Sequence, residues 1–108
     1  MSAYSLANMT EITLLPPWRL GELVEWSINV LRLRDQYEEA AGSKISQETR
    51  GAKFLQKLSV MAQKYELKSK WSGLKFSEDQ RELFRSELQE LLAEFGSPTA
   101  AIATKPQK

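Results

Sequence analysis

The sequence predicts an all-α fold: a small three-helix bundle with a short N-terminal arm and a disordered C-terminal tail. Three observations predict it. Apolar residues recur at helical spacing in three separate stretches, and each stretch is bounded by helix start and stop signals. The chain has 108 residues, of which 42% are hydrophobic and 27% charged, values that suit one globular domain. The expected organisation is an arm over 1–15, a bundle over 16–96 and a flexible tail over 97–108.

The arm holds Tyr4, Leu6, Met9, Ile12, Leu14 and Leu15 without a sustained period, so a short strand, a helical turn and a docked arm all remain open. Pro16-Pro17 closes it, because the residue before a proline is pushed out of the helical region. Pro17 suits the first position of helix 1, where its missing N–H costs nothing. Helix 1 is expected to run to Ala41 and stop at Gly42, a left-handed cap. Its apolar residues Leu20, Leu23, Val24, Trp26, Ile28, Val30, Leu31, Leu33 and Tyr37 cover more than half the helix circumference. Trp18, just ahead of them, reads as a core anchor.

Helix 2 is expected from an N-cap at Ser46 to about Ser69, with one narrow stripe of Phe54, Leu55, Leu58, Met61, Ala62 and Tyr65. Residues 70–76 read as a connection. Helix 3 starts at Ser77, which with Gln80 forms a capping box, and Glu78 and Asp79 suit the positive end of its dipole. Its stripe is Leu83, Phe84, Leu88, Leu91, Leu92 and Phe95, and Gly96 followed by Pro98 ends it. The remaining tail is small, polar and proline-containing.

Composition narrows the chemistry. Cysteine and histidine are both absent, which removes disulfides, thiolate metal sites, the commonest general base and the commonest metal ligand. No phosphate-binding loop or dinucleotide fingerprint is present. The carboxylate pairs Glu38-Glu39 and Glu78-Asp79 lie at helix ends, where dipole or solvent roles explain them. The chain is therefore read as non-catalytic, with no cofactor and no metal. It has no apolar run of the roughly 18–20 residues that cross a bilayer and no secretory leader, so no membrane association and a cytoplasmic location are expected.

Net charge is only +1, but it is unevenly distributed. Residues 1–43 sum to −3, 44–76 to +6 and 77–95 to −4. On the expected helix 2, Arg50, Lys53, Lys57, Lys64 and Lys68 share an arc of roughly 60° and a length of about 27 Å. No acidic residue one turn away on that helix neutralises them. Such a row matches a polyanion, because nucleic-acid backbones also carry charge in rows. Lys70, Trp71 and Lys75 extend the basic character, and Trp71 suits either stacking on a base or capping the core. Three readings stand together: neutralisation by solvent or by the acidic helix 3, contact with a nucleic-acid backbone, and contact with an acidic protein. A nucleic-acid contact here is to phosphates and carries no sequence specificity.

In size and build the chain is similar to the helical small subunits of CRISPR effector complexes, which line a nucleic-acid path with basic helices. The likeness covers helices 1–3 in general character. It implies contacts to crRNA or displaced DNA by Arg50, Lys53, Lys57, Lys64 and Lys68, in a subunit of a larger assembly with other protein subunits. The alternative is a protein–protein adaptor or inhibitor, for example a phage-type regulator. It would bind through the Trp26, Val30, Leu33 and Tyr37 flank of helix 1, as a homo- or hetero-oligomer surface. The contrary expectation is that helices 2 and 3 each cover one flank of helix 1.

Overall fold

The computed structural model describes residues 18–96; the expected arm and tail lie outside the described residues. Three α-helices follow one another: α1 (Leu20–Ala41), α2 (Arg50–Lys64) and α3 (Glu78–Phe95). A short 3-10 turn, Ser72–Lys75, precedes α3, and no strand occurs among the described residues. The all-α three-helix architecture expected from the periodicity is therefore the one observed. The shorter helix, α2, packs against both α1 and α3, and α1 also rests on the 3-10 turn.

The core is drawn from all three helices. Leu23, Val24, Trp26 and Val30 come from α1, Phe54, Leu55, Leu58 and Met61 from α2, and Phe84, Leu88, Leu91 and Leu92 from α3. Ile45, Tyr65 and Phe76 close it from the connections. Trp18 packs on the core rim, as an anchor should. The indole of Trp26 meets Phe54 edge-on at 6.3 Å.

Helix ends follow local chemistry. Gly42, at φ 74°, caps α1 in the left-handed conformation that only glycine adopts without steric cost. Ser77 and Gln80 form the expected capping box at α3. The expected bounds of the middle helix need correction at both ends. It starts after Thr49, whose hydroxyl accepts from the Ala52 amide at 3.0 Å, instead of after Ser46. The delay has a cause in packing: Ile45 is buried, and its amide donates to Glu38 Oε2 at 2.8 Å.

α2 stops at Lys64 because Glu66 turns left-handed at φ 55°. The amide of Leu67 then donates to the Ala62 carbonyl at 2.8 Å and that of Glu66 to Gln63 at 3.2 Å, the paired bonds of a left-handed helix cap. Glycine normally holds that position, so no stop signal is legible there from residue type. The stop removes Lys68 from the helix.

Gly73 is required for a different reason, close packing. It is buried, and a β-carbon there would meet Leu20 Cδ2 at 3.1 Å and Cγ at 3.3 Å. This close approach lets the 3-10 turn sit on the first turn of α1.

Replacing Glu66 with glycine should raise unfolding stability by about 1 kcal/mol, because a side chain in the left-handed region is disfavoured by roughly that amount. Phe84→Ala should cost about 3–5 kcal/mol, since it empties a fully buried aromatic site. Urea unfolding measures both; an unchanged or lowered midpoint for Glu66→Gly would contradict the cap assignment.

Candidate functional site

α2 carries Arg50, Lys53, Lys57 and Lys64 toward one side over about 21 Å. Much of this row lies along the seam with α3. The Arg50 guanidinium donates to the carbonyl of Glu94 at the end of α3. The Lys57 ammonium stands 5.9 Å from the ring centroid of Phe95. Lys64 Nζ donates to Glu87 Oε2 at 2.7 Å. Of the readings weighed for the row, neutralisation by the acidic helix is thus met at Lys64, through the carboxylate of Glu87. Among the described residues, Lys64 is the one member of the row in an ion pair. Lys53 and Lys68 are exposed and form none there.

Both partners of the Lys64–Glu87 pair keep access to water, so solvent screens their attraction. The hydrogen bond to Glu87 holds the Lys64 ammonium above its ordinary pKa of 10.5. Burial pushes the neighbouring Tyr65 phenol above its ordinary 10.0, and the charge of Glu87 adds to the effect while Lys64 opposes it. The Tyr65 hydroxyl is buried, and its approach to Glu87 falls outside hydrogen-bond geometry, so it has no partner of normal geometry.

Past the helix stop, the chain folds into a turn held by its own serines. Ser72 Oγ accepts from the amides of Lys68 at 2.8 Å and Ser69 at 3.0 Å. Ser69 Oγ accepts from the Trp71 amide at 3.2 Å. Phe76 anchors the far end, with its ring 5.5 Å from Tyr65 and 5.8 Å from Phe84. Held at both ends, the turn projects Trp71, which is 62% exposed. The Lys70 ammonium lies over its indole at 4.9 Å.

Trp71 separates two clefts. One, of about 330 Å³, is polar and lined by Lys64, Tyr65, Lys68, Lys75 and Gln80, with Glu66 as its acidic member. The other, of about 410 Å³, is more apolar and lies between the turn and the start of α1, against Leu20, Leu74 and Lys70. Sequence reasoning placed Lys70, Trp71 and Lys75 in the basic region but took Tyr65 for a core residue only. It missed Leu74, which is 73% exposed, and gave no individual role to Glu87.

The second candidate surface, the flank of helix 1, is also corrected. Trp26 and Val30 lie inside the core, and Leu33 and Tyr37 pack half-buried against it. Their wide apolar arc serves the bundle: α2 takes one side of α1, and the turn takes another at Leu20 and Val24. Exposed apolar surface gathers instead at Trp71 and Leu74, with Val60 and Leu83 standing elsewhere.

The chain matches no protein-family model, no curated protein and no solved structure. Fold and site geometry together define a small helical-bundle domain with a basic helix edge and an aromatic turn. No helix among the described residues is long and apolar enough to cross a membrane.

The Lys64–Tyr65–Glu87 group predicts the alkaline limb of stability. Both Lys64 and Tyr65 hold their protons more tightly folded than unfolded, so their contribution is complete below their ordinary pKa values. It is lost as pH rises through the raised folded values, above about pH 10. Glu87→Gln removes a charge that raises both groups. Urea midpoints across that range should fall less steeply for the variant than for the parent; equal slopes would contradict the assignment.

Proposed function

We propose that this chain is a non-catalytic helical subunit of a larger assembly that contacts a nucleic-acid backbone through the outer edge of α2 and the turn after it. The observation that carries the reading is that Lys53, Lys57 and Lys68 reach solvent without a carboxylate partner among the described residues, inside a stretch of net charge +6. The acidic α3 lies alongside, yet it supplies one carboxylate to the row, through Glu87. Its other contacts with the row are a backbone carbonyl and an aromatic ring, which leave the positive charges in place.

Like charges kept in a row without partners raise the energy of the isolated protein, modestly at exposed sites. A polyanion removes that cost by supplying phosphates at matching spacing and releasing its own counterions. Contacts of this kind position a strand and do not read its sequence. Arg50 and Lys64 are held on α3, so the row that remains for phosphates is shorter than the periodicity suggested.

A second reading, a protein–protein adaptor, is favoured by the exposure of Trp71 and Leu74 beside the apolar cleft at the start of α1. It predicts self-association that weakens on Leu74→Lys and changes little with salt, measured by sedimentation of the chain.

Fluorescence anisotropy with a labelled generic oligonucleotide tests the first reading. Affinity should fall roughly twentyfold to several-hundredfold between 50 and 200 mM salt, given about three to five phosphate contacts. The variant Lys53→Glu/Lys57→Glu/Lys68→Glu should fold, as circular dichroism checks, and should no longer bind. Absence of binding at low salt would overturn the reading.

A further inference from the structure

The backbone contact proposed along α2 gives no role to Trp71 or to the cleft beside it. We propose that the cleft at the C-terminal end of α2 takes an unpaired nucleotide of a single strand, with its base stacked on Trp71 and its phosphate on Lys68 and Lys75. The proposal rests on the backbone-binding reading and deepens it, because it selects single strands over duplexes.

Three observations carry it. First, an indole 62% exposed is a large apolar surface left in water, and it projects from a turn that serine hydrogen bonds have already fixed. A rigid aromatic platform loses little freedom when a base settles on it. Second, Trp71 lines both clefts, and the cation over its ring belongs to the apolar one. Lys70, whose ammonium lies over the indole, lines the apolar cleft on one side of Trp71 and is absent from the lining of the lysine cleft.

Third, the cleft has the composition that a nucleotide needs. Its volume of about 330 Å³ falls at the lower end of small-ligand sites. Lys68 and Lys75 supply charge there without a carboxylate partner among the described residues, and Gln80 can donate or accept at a base edge. Glu66 is the acidic residue in the lining, and Lys64 brings its own neutralising Glu87.

A duplex cannot use this arrangement, since its bases are stacked on each other and present no free face. A single strand can run along Lys53 and Lys57 and deliver one base to Trp71.

The experiment uses the intact chain with fluorescein-labelled dT15, U15 and a 15-base-pair duplex, reading anisotropy and tryptophan emission. The parent should bind dT15 and U15 more tightly than the duplex, with quenching of tryptophan emission. Trp71→Ala should cost about tenfold in single-strand affinity and abolish most of the quenching, leave duplex affinity unchanged, and be rescued by Trp71→Phe. Lys68→Glu/Lys75→Glu should weaken single-strand binding further than Lys→Glu changes elsewhere on the surface. Because Trp71 is exposed, its replacement should leave the circular dichroism spectrum intact. Single-strand binding that Trp71→Ala leaves unchanged, or equal affinity for strand and duplex, would overturn the nucleotide site while the backbone reading stood. Absence of binding to all three probes at low salt would overturn both.

Discussion

The aromatic cluster of Tyr65, Phe76 and Phe84 is the interaction on which the lysine-rich end of this molecule depends. Tyr65 meets Phe84 edge-on at 5.3 Å, and Phe76 packs against both. Each ring comes from a different part of the chain: the cap of α2, the entry to α3 and α3 itself. The cluster therefore ties the two ends of the intervening segment, residues 66–75, to the core. A segment fixed at its ends and cross-linked by Ser69 and Ser72 can hold an indole in solvent without collapsing onto the bundle. Without those rings, Trp71 and the lysines around it would lose their common frame.

The same cluster explains the balance of charge at this end. Tyr65 sits between the core and the Lys64–Glu87 pair, so burial and the nearby carboxylate both disfavour its ionised form. Glu87 lowers the local excess of positive charge at Lys64 but reaches no other member of the row among the described residues. The bundle thus relieves repulsion where α2 and α3 lie side by side and leaves the outer lysines to solvent. This is the division expected if one part of the row serves stability and the other serves a partner.

Much of the fold was legible in the sequence. The stripes of Phe54, Leu55, Leu58 and Met61 and of Phe84, Leu88, Leu91 and Leu92 are buried as the spacing required, although Leu83, read into the second stripe, is exposed, and Gly42 and Ser77 cap as their residue types dictate. What was not legible has physical causes. The stop of α2 is made by Glu66, a residue with no intrinsic preference for the left-handed region, and tertiary anchoring through Phe76 overrides its local preference. The start shifted because Ile45 had to be buried before the helix began. The wide apolar arc of α1 gave no means of separating a core side from an open side, and Trp26 and Val30 proved to belong to the core. For the candidate site, the lysines and Trp71 could be named from the sequence. The loss of Lys64 to Glu87 and the cleft made with Tyr65 could not, because both depend on how α3 lies against α2.

The most direct test of the central claim is a nuclear magnetic resonance titration of the labelled chain with an oligonucleotide at low salt, following backbone amides and lysine side-chain signals. The account predicts shifts concentrated at residues 50–57 and 64–75, with the amides of α1 beyond its first turn unchanged. Shifts confined to α1, or none while the oligonucleotide binds, would contradict it.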